Sequence, residues 1–94
     1  MFAVIGDWRM DPTAAAQQRE GLSRIVQGVG RLPGLVKGYW TANEDTTRTH
    51  TFIVFEDRAS AVAFASSVRG NLDNQRRVGV ENLSLVIDEV TDQT

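Results

Sequence analysis

The sequence predicts an α+β fold in which four antiparallel strands carry two helices on one face, in the order β-α-β-β-α-β. Within residues 48–65, β-branched and aromatic side chains give way to an alanine-rich run, which is typical of a strand followed by a helix. A second unit of this kind lies at the N-terminus. Two such units joined by a hairpin form one sheet, and its other face has no helix to cover it.

The first strand is predicted over residues 2–10, where the side chains alternate between two faces. Asp11 is expected to cap the next helix, and Pro12 suits its first position because a missing N–H costs nothing there. Apolar residues then recur at helical spacing until glycines and a proline end the helix. This apolar stripe comprises Leu22, Ile25, Val26, Val29 and Leu32.

The rest of the chain predicts a hairpin, a helix and a final strand. Residues 35–42 and 48–55 flank a polar turn and are expected to pair. The second helix is predicted over 59–70, with Asp57 or Ser60 as its cap. Residues 71–82 are polar and poorly periodic, so no element is predicted there. The last strand is predicted over 83–90, with one face formed by Leu83, Leu85 and Ile87.

Composition narrows the class of protein. A chain of 94 residues has room for a single domain, residues 1–94. The net charge of −2 gives no overall attraction to nucleic acid or to anionic lipid. The absence of cysteine excludes disulfides and thiolate metal sites, and no metal site is predicted. No apolar run is long enough to cross a membrane, so a cytoplasmic protein is expected.

A family resemblance rests on two segments. The first helix ends in residues 32–40, LPGLVKGYW, and after the hairpin residues 52–57, FIVFED, lead into the alanine-rich helix. This layout resembles the antibiotic-biosynthesis-monooxygenase-like proteins, whose ferredoxin-like protomers form dimeric α/β barrels. The resemblance implies a homodimer in which two sheets pack face to face.

The resemblance also bears on cofactors. The haem-degrading branch of this superfamily uses a histidine on the second helix, an asparagine on strand one and a tryptophan on strand three. Here the second helix has no histidine, and the strand positions fall near Gly6 and Phe55. Haem binding is therefore not expected, and no cofactor is predicted.

Two functions remain open under this resemblance. Cofactor-independent monooxygenases of the superfamily oxidise phenol- or quinol-type aromatics, which requires an apolar pocket and a few hydrogen-bond donors. The alternative is a non-catalytic homodimer that binds a small apolar ligand or a partner protein.

A second, weaker resemblance is to the RNA-recognition motif, because residues 48–55 partly follow its strand-three octamer. His50 stands where the first stacking aromatic belongs, Thr49 and Thr51 replace small residues, and strand one offers Val4 in place of a second ring. Stacking platforms also lie in basic surroundings. The acidic balance of this chain argues against nucleic acid as a partner.

Strand alternation assigns side chains to the two faces of the sheet. Trp8 and Trp40 are expected beneath the helices, either as core or with their indole N–H groups facing a pocket. A pocket between sheet and helices would therefore be lined by Trp8, Trp40, Thr51, Phe55 and Phe64.

The opposite face is the predicted dimer interface, because that much contiguous apolar surface is rarely left in water. His50, the only ready general base in the chain, is expected on this face and so outside the pocket. The residues predicted to share the face are Ala3, Ile5, Tyr39, His50, Phe52, Val54, Val86 and Val90.

Overall fold

The computed structural model describes all 94 residues and has the predicted α+β, ferredoxin-like architecture. Its single sheet is antiparallel, with strand order β2-β3-β1-β4. The strands are β1 Phe2–Met10, β2 Leu35–Ala42, β3 Arg48–Phe55 and β4 Val80–Glu89. The helices are a 3-10 turn at Pro12–Ala14, α1 Ala15–Val29, α2 Arg58–Arg69 and α3 Leu72–Arg77.

The C-terminal part of the chain departs from the prediction. Residues 71–82, predicted without an element, contain α3 and the start of β4. Leu72 is the only apolar residue of α3, so hydrophobic periodicity cannot reveal this helix. Leu83 was predicted to share a face with Leu85, but the β1–β4 register skips it: Ser84 pairs with Asp7 and Asn82 with Trp8. This bulge breaks the alternation of β4 at one residue.

The predicted helix caps are present at Asp11 and Asp57. The Asp11 carboxylate accepts hydrogen bonds from the Thr13 hydroxyl and backbone N–H, at 2.7 and 3.0 Å, and they hold its pKa below the ordinary value. The Asp57 carboxylate accepts from the Ser60 backbone N–H at 2.7 Å, which likewise lowers its pKa. Of the two residues proposed to cap α2, Asp57 is therefore the cap.

The core lies between the sheet and α2. Ile53 and Phe55 of β3 are buried beneath Ala61 and Ala65, both completely inaccessible to solvent. Val29 is the only buried residue of α1, so the predicted apolar stripe of that helix does not pack as a core. No helix combines the length and the apolar character needed to cross a membrane.

Candidate functional site

A large cavity occupies the space between the sheet and the helices. Its volume is about 1060 Å³. The sheet supplies its floor, α1 and α2 its long walls, and α3 with the segment before β4 closes one end. It forms because α1 stands away from the sheet while α2 packs against it.

Two tryptophans, each two residues after a glycine, form part of the floor. The Trp8 indole N–H donates to the Thr51 hydroxyl at 3.3 Å. A Cβ atom at Gly6 would lie 2.5 Å from the Trp8 indole nitrogen, so only glycine leaves room for this indole. A Cβ at Gly38 would likewise lie 3.1 Å from the ring of Trp40. The glycines allow both rings to lie over the sheet and line the cavity.

Aromatic and aliphatic side chains line the end of the cavity remote from α3. Phe64 of α2 packs on Phe55 of β3 with ring centroids 5.5 Å apart and planes tilted by 42°. Leu22, Ile25 and Val29 of α1 line the same space. This part of the cavity offers apolar contacts to a ligand.

The polar lining is almost uncharged. It consists of amides and hydroxyls, and Arg19 is the only side chain among the lining residues that carries a formal charge. No aspartate, glutamate, histidine, lysine or tyrosine lines the cavity. The protein therefore offers a ligand hydrogen bonds and one positive charge there, but no general base.

The structure brings the five predicted pocket residues together. All of them line this cavity: Trp8, Trp40, Thr51, Phe55 and Phe64. Both tryptophans, for which core and pocket were left open, lie at the cavity wall. Val36 of β2 has no partner in β3, because the β2–β3 register passes from Leu35 to Lys37.

The predicted interface residues lie on the other face of the sheet. By register, one row runs across all the strands, from Tyr39 to Phe52 to Ile5 to Val86. Ala3 pairs with Val54 in the adjacent row. Val90 lies just beyond β4, where its backbone N–H donates to the carbonyl of Met1.

His50 belongs to a polar group on that outer face. Its Nε2 lies 3.5 Å from an Asp7 carboxylate oxygen, and the Arg48 guanidinium donates to both oxygens of the same carboxylate at 3.0 and 2.8 Å. The histidine does not line the cavity. The only imidazole of the chain and the cavity are thus on opposite sides of the sheet.

Two features of the site escaped sequence reasoning. The repeated Gly-X-Trp pattern at Gly6–Trp8 and Gly38–Trp40 could have been recognised, since an aromatic ring often covers a strand glycine. Gln75 of α3 also lines the cavity, and its Oε1 is buried without a hydrogen-bond partner. No sequence signal marks that residue, because its role depends on where α3 lies.

Comparisons with known proteins rest on structure alone. No protein-family model and no curated protein sequence matches the chain. Among solved structures, a candidate antibiotic biosynthesis monooxygenase from Deinococcus radiodurans matches with a TM-score of 0.83 and 14% identity, covering 100% of this chain and 96% of that one. SnoaB, a cofactor-independent oxygenase from Streptomyces nogalater, matches with a TM-score of 0.72 and 13% identity over 98% and 94% of the two chains.

The haem degrader MhuD of Mycobacterium tuberculosis, solved with two haems in its active site, has the same fold. It matches with a TM-score of 0.73 and 13% identity, over 100% of this chain and 99% of that one. At these identities the matches establish a shared fold. The predicted resemblance to antibiotic-biosynthesis-monooxygenase-like proteins is therefore confirmed at the level of the fold.

Proposed function

We propose that this protein binds a hydroxylated aromatic molecule between the sheet and the helices and oxygenates it with dioxygen, without a cofactor. The observation that carries this proposal is the cavity of about 1060 Å³ lined by Trp8, Trp40, Phe55 and Phe64. Pockets for drug-sized ligands in proteins span roughly 300–1,000 Å³. This cavity is thus roomy enough for several fused rings, and a single phenol ring would leave most of it empty.

The lining constrains how such a reaction could proceed. No carboxylate or imidazole lines the cavity, so the substrate must lose its proton without help from a protein base. Arg19, the one charged residue of the lining, would favour the resulting anion. A polycyclic phenol whose anion is stabilised by its own rings meets this requirement. The match to a cofactor-independent oxygenase of the same fold supports the proposal without assigning a substrate.

Anthrone is a suitable test substrate, because its three rings match the cavity and its enol tautomer is an acidic phenol. Oxygenation converts its CH₂ group to the carbonyl of anthraquinone; one oxygen atom of O₂ enters the product and the other leaves as water. We expect one O₂ to be consumed per anthraquinone, with no hydrogen peroxide and no added cofactor. An oxygen electrode and product chromatography measure both quantities above the uncatalysed background.

A matched pair of variants locates the reaction. Ala63 of α2 lines the cavity, whereas Ala59 on the same helix does not. Ala63→Phe is therefore expected to lower turnover by placing a ring in the part of the cavity next to α2, and Ala59→Phe to leave it unchanged. Equal turnover in the two variants would exclude the cavity as the site of oxygenation.

Binding without turnover is the second candidate function. The absence of any base from the cavity wall favours it, because a non-catalytic ligand carrier needs no proton acceptor. In that case anthrone should quench the fluorescence of Trp8 and Trp40, the only tryptophans, while its oxidation stays at the background rate.

We further propose that the protein is a homodimer formed through the outer face of the sheet. In the apolar row across that face, Tyr39 is 55% exposed, Phe52 42% and Val86 46%. Neighbouring exposed apolar side chains of this size are usually covered in the functional assembly. Light scattering at micromolar concentration should give twice the chain mass of 10.4 kDa, and Phe52→Glu should give the monomer.

A further inference from the structure

Arg19 is the only charged residue on the wall of the main cavity. The chain contains 12 aspartates and glutamates, yet none of them lines this space, and neither does a lysine. The lining thus carries one positive charge in a protein whose net charge is −2. An anionic ligand in the cavity would meet this charge and no carboxylate that repels it.

The guanidinium of Arg19 is not paired with a carboxylate of the protein. It takes part in none of the ion pairs of the structure. Glu20, its neighbour in sequence, pairs instead with Arg24, at 3.0 Å. The positions three and four residues away along α1, which a helix places beside Arg19, hold no carboxylate. The charge of Arg19 is therefore free to interact with a ligand.

Arg19 lies at the opening of the cavity, at the end next to α3. Gln18, the residue before it, donates to the backbone carbonyl of Val78, just after α3, at 2.9 Å. This turn of α1 is therefore held beside the α3 end. Arg19 lines the cavity and is nevertheless exposed, so its side chain can be reached both from the cavity and from solvent.

The aromatic part of the lining lies further along the cavity. Phe64 packs against the core cluster that contains Phe55, and Val29 of α1 belongs to the same cluster. Val29 follows Arg19 by ten residues on one helix, which corresponds to about 15 Å along its axis. The cavity is thus apolar at one end and positively charged at the other. It is complementary to an elongated molecule with rings at one end and an anionic group at the other.

The chemistry of the lining decides which anionic group it suits. Since no carboxylate or imidazole lines the cavity, the group must be ionised before it binds. A carboxylic acid, with a pKa of about 4, meets this condition at neutral pH, whereas a simple phenol has a pKa of about 10. A guanidinium also matches a carboxylate in shape, because two of its N–H groups can donate to the two oxygens.

We propose that the cavity takes aromatic carboxylic acids, with the carboxylate paired to Arg19 at the opening and the rings packed between the two tryptophans and Phe64. This inference rests on the proposed ligand-binding function and deepens it by naming the class of ligand. Arg19 is then a specificity-determining residue, which selects the acid among ring systems of equal size. Because the pair lies at the opening and stays partly hydrated, its effect on affinity is moderate and depends on salt.

Anthraquinone-2-carboxylate and its neutral carboxamide test the proposal, since they share a ring system and nearly the same size. Quenching of Trp8 and Trp40 reports the affinity of each compound, because both indoles line the cavity. The measured quantity is the affinity for the carboxylate divided by that for the carboxamide. A change in this ratio isolates the charge from general effects on the cavity. Two other neutral compounds, 2-ethylanthraquinone and 2-(hydroxymethyl)anthraquinone, should bind the Arg19 variants as they bind the wild type.

In Arg19→Gln, which removes the charge and keeps a good helix former, we expect this ratio to fall about threefold or more from the wild-type value. Arg19→Lys keeps the charge, so its ratio should stay above that of Arg19→Gln. The control is Arg24→Gln, which removes the same charge from the same helix outside the cavity and should keep the wild-type ratio. Added salt should lower the ratio of the wild type but not that of Arg19→Gln.

The outcomes separate this inference from the function on which it rests. If no anthraquinone binds the wild type, the proposed ligand-binding function is wrong and the inference falls with it. If they bind and Arg19→Gln keeps the wild-type ratio, the role of Arg19 alone is overturned. Equal reductions in Arg19→Gln and Arg24→Gln would also overturn it, since the overall charge of the protein would then explain the preference. Both arginines are exposed, so neither substitution threatens the fold.

Discussion

Helices α1 and α2 cover the same face of the sheet, but only α2 packs closely against it. Ala61 and Ala65 turn toward β3 and are completely buried, because a methyl group lets the helix backbone approach the strands. The corresponding stripe of α1 carries larger aliphatic side chains, and Ile25 remains 52% exposed. The two helices therefore have different roles: α2 packs against the sheet as part of the core, and α1 forms one wall of the cavity.

Enlarging a buried alanine of α2 should have the largest effect on stability. Ala65→Leu forces extra methyl groups between α2 and the sheet, and such overpacking costs about 1–3 kcal/mol. Urea denaturation measures the change in the free energy of unfolding. The control, Ala59→Leu, lies exposed on the same helix and should change stability by less than about 0.5 kcal/mol. Similar losses in both variants would contradict close packing of α2.

Replacing Gly6, the glycine beneath Trp8, should have the second-largest effect on stability. The new Cβ of Gly6→Ala would lie 2.5 Å from the indole nitrogen and 2.6 Å from the Thr51 hydroxyl, so the hydrogen bond between them must break. We expect a loss of about 1 kcal/mol together with a shift in tryptophan fluorescence.

Gly38→Ala provides the comparison, because its closest contacts, with Ile53 Cδ1 at 3.0 Å and the Trp40 ring at 3.1 Å, are longer than those at Gly6. A small movement of the neighbouring side chains should relieve these contacts. Alanine also lowers the conformational entropy of the unfolded chain, which favours the folded state and offsets the remaining cost. Stability should therefore change little. A larger loss for Gly38→Ala than for Gly6→Ala would show that the Trp8–Thr51 bond matters less than described.

Shortening the stripe of α1 should affect ligand binding more than folding. Ile25→Ala removes methyl groups that are already half exposed, so we expect a loss of only about 0.5–1 kcal/mol in stability. The same change should weaken binding of 2-ethylanthraquinone, because Ile25 lines the cavity. Val62→Ala on α2 is the control, since Val62 does not line it. Equal losses of affinity in Ile25→Ala and Val62→Ala would contradict the assignment of α1 as a wall of the ligand site.

Three of the four strands and the residues that would line a pocket could be predicted from the sequence, but whether that space is open could not. The bounds of β1, β2 and β3 agree with the sequence prediction, because alternation over eight or nine residues has no competing interpretation. The bulge at Leu83 reflects a mismatch between two strands, which neither strand encodes alone. Helical spacing in α1 likewise predicts an apolar stripe but not its distance from the sheet. That distance decides whether Trp8 and Trp40 are core or cavity wall.

Lowering the pH should have the smallest effect on stability. Hydrogen bonds lower the pKa of Asp11, Asp45 and Asp57 in the folded protein, so the folded state binds protons less readily than the unfolded chain. Their stabilising effect is complete above the unfolded carboxyl pKa of about 3.9 and is lost as the pH falls through the lower folded values.

Urea midpoints measured across this acidic range should therefore fall with pH. Asp57→Asn, which removes the ionising group that caps α2, should reduce the dependence, whereas Asp88→Asn on exposed β4 should leave it as in the wild type. Asp11 caps the 3-10 turn before α1 in the same way, so Asp57→Asn should remove only part of the pH dependence. An unaltered pH profile in Asp57→Asn would contradict this assignment.

The central claim, that the space between α1 and the sheet is the ligand site, is tested most directly by nuclear magnetic resonance. The chain has two tryptophans, and their indole N–H resonances report the cavity wall. Titration with 2-(hydroxymethyl)anthraquinone should shift both indole signals and the amides of α1, while the side-chain signals of Tyr39, Phe52 and Val86, which point to the outer face, stay in place. Shifts confined to the outer face, with both indole signals unmoved, would contradict the account.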